Sequence, residues 1–180
     1  MLALVVGSAA CVWDDVKAAK ELCSFDAVCC VKRAGIAWPD KFDVWCSLHP
    51  EFMDDYEARR MAAGLPDGYE IVAPPPHEVG MHGAKGNIAR REPYMWPGMD
   101  RSPGSGIYGI KVMLTAGYRV VAAGIPMNNE PHFIKHEMWG DGSWNGLENF
   151  EAGFKQAIPH MMGKVRSMSG RTKDILGSPD

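Results

Sequence analysis

A single Rossmann-like α/β domain, with a mostly parallel sheet between two layers of helices, is the fold this sequence predicts. Three observations point to it. Short, wholly apolar runs alternate with segments of helical spacing, the pattern of parallel strands covered on both faces by crossover helices. The first apolar run closes on Gly7-Ser8 just before a helical segment. At 180 residues the chain has the size of one domain, able to bury roughly two-thirds of its unfolded surface in one core.

Leu2 to Val6 predicts a strand inside the sheet, and Val16, Ala19 and Leu22 behind the acidic pair Asp14-Asp15 predict the first helix. Ala27 to Val31 and Asp43 to Leu48 are the next strands. His49-Pro50-Glu51 opens a helix running to about Ala63, with Pro50 suited to its first turn, and Tyr69 to Val72 is a fourth strand. Irregular loops are expected near 75–104 and 126–146; loops this long usually serve function, close as lids or lack order. Between them, Ser105 to Ala116 has helical spacing stopped by Gly117, and Arg119 to Ile125 is a fifth strand. Leu147 to Met161 predicts a helix, Lys164 to Met168 a final strand, and Arg171 to Leu176 a helical turn. Residues 1–180 therefore make one domain.

Composition narrows the function classes. Hydrophobic residues at 46% and charged residues at 23% are ordinary for a globular protein. A net charge of -3 and a pI near 6.1 supply no electrostatic reason to bind nucleic acid or an anionic membrane, so neither is an expected partner. Cys11, Cys23, Cys29, Cys30 and Cys46 are odd in number and lack C-x-x-C spacing. They read as reduced thiols, with no zinc site or disulfide framework. The opening run lacks a basic signal-peptide region, and no stretch reaches the roughly 18 to 20 apolar residues that span a bilayer. A cytoplasmic protein is expected.

In sheets of this kind ligands bind beyond the carboxyl ends of the strands, where the strand order reverses. Gly7, Ser8 and Ala9, at the end of the first strand, offer backbone N–H groups to a phosphate, or make a tight turn with no ligand. The pattern is not G-x-G-x-x-G, which disfavours NAD and FAD, and no resident cofactor is expected. Lys32 and Arg33 end the second strand, as solvated loop cations or with one of them pairing a donor phosphate. His49 follows the third strand as a substrate-binding candidate. Gly104, Ser105 and Gly106 open the most apolar helix and place backbone donors at its positive end, where an anion or a base edge can be held.

The second loop carries His132 and His136, four apart, without the H-E-x-x-H arrangement or a third ligand at fixed spacing, so no metal site is expected. A histidine titrates near pH ~6.5, which suits either of them to share a proton with an attacking hydroxyl or a leaving phosphate. Trp139 and Trp144 flank a Gly-Asp-Gly-Ser turn there, either closing a core edge or stacking on a base or sugar.

Ser105-Gly106-Ile107-Tyr108, then Ala116-Gly117-Tyr118-Arg119, then a strand ending Gly124-Ile125, resembles the S-G-V-Y, A-L-G-Y, strand, G-I-D pattern of bacterial sialyltransferases that use a CMP-sugar donor. The Gly7-Ser8-Ala9 turn is similar in position to their glycine-asparagine-glycine-proline-serine turn, but lacks the asparagine and proline, and Pro126 stands where they have aspartate. The resemblance implies a Rossmann-like fold, a nucleotide held at the two turns, a histidine beyond the Gly124-Ile125 strand and, since those enzymes are oligomers, self-association. The Arg166-to-Gly170 stretch and the overall style of the chain also resemble small bacteriophage proteins.

A transferase holding a nucleotide-activated donor, a CMP-sugar or similar, is the leading expectation. A non-catalytic protein that binds or sequesters a nucleotide is the alternative, and a protein-interaction domain using the Trp and Met residues of the loops is a third.

Overall fold

The computed structural model describes residues 1–79, 87–134 and 147–180. Its seven strands are β1 (Leu2–Val6), β2 (Ala27–Val31), β3 (Val44–Cys46), β4 (Glu70–Ala73), β5 (Arg90–Arg91), β6 (Arg119–Ala123) and β7 (Val165–Ser167). All neighbouring pairs are parallel, in the order β5-β4-β3-β2-β1-β6-β7. The chain lays strands outward from β1 to β5, then returns to place β6 on the other side of β1. The reversal of strand order therefore falls between β1 and β6.

Alternation along β1 explains the layers. Ala3 and Val5 face a core shared with α5 (Ser105–Thr115), α6 (Leu147–Met161) and α7 (Gly170–Leu176), through Ile107, Ile110, Phe154, Met161 and Leu176. Leu4 and Val6 face the opposite core, built with α1 (Val12–Leu22), α2 (Ala34–Ala37) and α3 (Met53–Ala62) through Val16, Ile36, Trp38, Met53 and Tyr56. Burial of each such side chain stabilises the fold by roughly 1.5–3 kcal/mol. The result is the three-layer α/β/α architecture that the apolar runs predict.

Local chemistry moves some boundaries. α1 begins at Val12, ahead of the acidic pair, because Val12 joins the buried stripe of Val16 and Ala19. Of that pair, Asp14 stays in water while Asp15 turns inward. The segment after β3 starts as a 3-10 turn at Pro50–Phe52 before α3 takes over. The stretch expected to be an irregular loop contains α4 (Pro76–Val79) and the two-residue edge strand β5. β5 is held by charge: the Arg90 guanidinium grips the Glu70 carboxylate at 2.9 and 3.3 Å and also pairs with Glu92.

Arg60 of α3 is 1% exposed and fastens the turn after α2. It donates to the carbonyls of Gly35, Trp38 and Pro66 at 2.7 Å each and of Asp40 at 3.0 Å, with its charge 4.7 Å from the centre of the Phe42 ring. Among the described residues, no helix is long and apolar enough to cross a membrane.

Candidate functional site

A cavity of about 590 Å³ opens at the carboxyl ends of β1, β2, β3 and β6, at the reversal of strand order. It is lined by Gly7, Ser8 and Ala9 after β1, Lys32 after β2 and His49 after β3. Gly104, Ser105 and Gly106 at the start of α5 and His132 beyond β6 complete that set. The two glycine turns, separated by nearly a hundred residues, thus meet at one concave surface.

The first turn is largely spent on the fold. The Gly7, Ala9 and Ala10 amides donate to the carbonyls of Ala123, Gly124 and Pro131 at 2.8, 3.2 and 2.8 Å, leaving the Ser8 amide without a partner among the described residues. Gly7 is required for a different reason from the one the sequence suggests: a Cβ there would overlap the Gly124 carbonyl and the Ile125 side chain. Close approach of two strand ends, rather than a cradle of free amides, accounts for this glycine.

The α5 end is the better anion site. Gly104 holds φ at +83°, a backbone only glycine adopts freely, and the helix has no side-chain cap. Ser105 therefore does not cap its own helix. The Ser105, Gly106 and Ile107 amides have no acceptor among the described residues, and they stand at the positive end of an eleven-residue helix dipole.

Lys32 and Arg33 diverge. The Lys32 side chain lines the cavity with no hydrogen bond or ion pair among the described residues. Burial, then the charge of Arg33, lowers its pKa to about 8 against the opposing pull of Glu51. Arg33, the other expected phosphate partner, is not part of the lining: its guanidinium donates to the Ile134 carbonyl at 2.9 Å. Among the described residues, the non-glycine residues with left-handed backbone are Lys32 and Met127, both with φ of 51°. Both line the cavity, and each such conformation costs about 1–3 kcal/mol.

His132 is fixed by the turn it faces. Residues 131–133 run antiparallel to Ser8–Ala10 through a bridge between Ala9 and His132. The Ser8 carbonyl accepts the Phe133 amide at 3.0 Å and His132 Nδ1 at 3.2 Å. A carbonyl can only accept, so Nδ1 carries the proton and Nε2 is left with the lone pair. Burial lowers the ring's pKa, the Ser8 carbonyl partly offsets this, and the charges of Arg33 and Lys32 lower it further. The neutral ring with Nε2 as proton acceptor is the form favoured at neutral pH.

His49 sits 3.1 Å from a carboxylate oxygen of Glu51 through Nδ1, and both line the cavity. Glu78 and Glu130 add two more carboxylates to the walls. Glu130 was not legible from sequence: no periodicity marks it, and its place follows from the Asn128 turn, whose side chain both donates to and accepts from it. Glu51 had a signal in its H-x-E spacing to His49. Asp15 lies outside the lining but holds it in place, accepting the Gly124 amide at 2.8 Å and the Ser169 hydroxyl at 2.6 Å. His136, Trp139 and Trp144 lie outside the described residues. Among those described, no cluster of three or more His, Cys, Asp or Glu could hold a metal ion.

A parallel, three-layer α/β domain with a cavity at its strand-order reversal is the class that fold and site define. Among solved structures the chain is similar to a mammalian sialyltransferase in complex with Gal-beta-1-3GalNAc-ortho-nitrophenol, at 14% identity over 94% of this chain and 70% of that one, with a TM-score of 0.49. No protein-family model matches the chain, and no curated protein matches it. Nothing in these comparisons supports the bacteriophage resemblance of the Arg166-to-Gly170 stretch.

Proposed function

We propose that this protein is a transferase that takes a nucleotide-activated donor, a CMP-sugar or similar, into the strand-end cavity. The observation that carries the reading is the meeting of three groups there: the uncapped start of α5, the Lys32 ammonium and His132 with its tautomer set by Ser8. Amides fixed at a positive helix end and a lysine suit the phosphate of the donor, which gains charge as it departs. His132 Nε2 suits the proton of an acceptor hydroxyl.

In that reaction the acceptor oxygen bonds to the transferred carbon, the carbon–phosphate oxygen bond breaks with its electron pair going to the nucleotide, and the proton passes to Nε2. Glu51, Glu78 and Glu130 suit the hydroxyl groups of a sugar or an exocyclic amino group, since ionised carboxylates only accept. The likeness of the Ser105-to-Tyr108 and Ala116-to-Ile125 segments to CMP-sugar enzymes favours the cytidine nucleotide among donors.

The test is a thermal-shift panel of nucleoside mono- and diphosphates and nucleotide-sugars, followed by turnover of whichever donor binds. Stabilisation grows as RT ln(1 + [L]/Kd), so saturating CMP or its sugar conjugate should raise Tm. His132→Ala should then lower turnover by about 10²- to 10⁴-fold while leaving nucleotide affinity nearly unchanged. If no nucleotide shifts Tm the proposal fails outright. Full turnover in His132→Ala would remove the histidine's role, and binding without turnover in the intact chain would make this a nucleotide-binding protein instead.

A further inference from the structure

A second cavity, of about 480 Å³, lies further along α5, between Lys111 and Thr115 of that helix and the 93–99 loop. Lys111, in the middle of α5, lines it and is 5% exposed. Its ammonium makes no hydrogen bond or ion pair among the described residues. The two nearby carboxylates are engaged elsewhere: Glu92 pairs with Arg90, and Glu78 accepts the Tyr94 amide. A partly desolvated cation without a partner is costly, and desolvation accordingly lowers the Lys111 pKa against the weaker pull of Glu92 and Glu78.

Apart from Glu78 and Thr115, the rest of the cavity is apolar. Trp96, Met95 and Met99 line it together with two prolines. The Trp96 ring is set in place by stacking on His160, with centroids 5.1 Å apart and planes 3° from parallel. A largely apolar cavity with a few polar groups has the make-up of a small-molecule site.

We propose that this cavity binds a small monocarboxylic acid with an aromatic or apolar body, its carboxylate on Lys111 and its body against Trp96. A monoanion is specified because one ammonium is the available donor and Glu78 shares the cavity wall with it, so a doubly charged phosphate would meet more repulsion than it gains. An anion that enters supplies the partner Lys111 lacks, and the interaction gains because the ammonium is already partly desolvated.

The probe is sodium benzoate on the full chain, read by thermal shift and calorimetry, with sodium chloride at matched ionic strength, benzyl alcohol as the neutral isostere and inorganic phosphate as the dianion. Benzoate should raise Tm and the other three should not. Lys111→Met should weaken benzoate at least tenfold and should itself melt above the unliganded wild type, because it removes a partly desolvated, unpaired charge. Lys111→Gln serves the same comparison if the Met variant does not fold. Lys32→Met, which alters the first cavity alone, should keep the benzoate response. The proposal is overturned by a wild type indifferent to benzoate, by an equal response in the Lys111 variants, by loss of the response in Lys32→Met, or by phosphate matching benzoate. No nucleotide enters this test, so its failure leaves the reading of the first cavity untouched.

Discussion

Lys32 and His132 share one cause and act in different pH windows. Burial lowers both pKa values, so in each case the folded state holds its proton less tightly than the unfolded chain does, and stability rises with pH across the window between the two values. For Lys32 that window runs from about 8 up to the ordinary 10.5. Lys32→Met should therefore stabilise the protein at pH 7, by about 1–2 kcal/mol once Glu51 and residual solvent are allowed for. It should also flatten the rise in stability from pH 8 to 10.5, while weakening nucleotide binding; urea titrations at pH 7, 9 and 10.5 test both parts. For His132 the window lies below about 6.5, where the unfolded chain takes up a proton that the folded ring resists. His132→Gln should make the loss of stability on acidification below pH 6.5 shallower than in the wild type, and an unchanged slope would show that the ring is not held neutral.

Between elements, much of the wall is built by ties that skip along the chain. Asp15 joins α1 to the end of β6 and to the start of α7, and Thr172 of α7 donates to the Ile125 carbonyl. Arg60 does the same work away from the cavity, with four backbone carbonyls that have no other described donor as close. Replacing it with Met keeps the stem and removes every donor. The expected loss is about 3–5 kcal/mol, because the Gly35 and Trp38 carbonyls stay buried and unsatisfied. Denaturant midpoints with an unchanged m-value check this, and a loss below ~1 kcal/mol would mean that water replaces the guanidinium.

Over the whole sheet, β1, β2 and β6 are covered on both faces while β5 is a two-residue edge. Native-state hydrogen exchange should therefore be slowest at the amides of Val5, Cys29 and Val121, approaching the global unfolding free energy, and much faster at β5. Equal protection at Arg91 and Val5 would contradict this. The same gradient explains what the sequence made legible. β1 and β2 were readable to the residue because strands buried on both faces are unbroken apolar runs. β5 was not, since Arg90, paired with Glu70 and Glu92, and Arg91, donating to the Pro74 carbonyl, leave no hydrophobic trace. The rule that ligands sit at strand ends picked out Gly7, Lys32 and His49, and the reading of a glycine-rich helix start picked out Gly104; all four line one cavity. The strand-end rule could not separate Lys32 from Arg33, whose side chains part only through the contact with Ile134, a hundred residues away.

The twisted backbone at Lys32 and Met127 has a consequence for anyone breeding this chain toward heat resistance. Glycine at Lys32 would release conformational strain without taking a side chain out of the core, whereas at Met127 it would also empty core volume, so selection on melting temperature alone should reach the Lys32 codon early. Both residues open onto the strand-end cavity. The sturdiest descendants would then be the ones least able to recognise what the ancestor was shaped to hold.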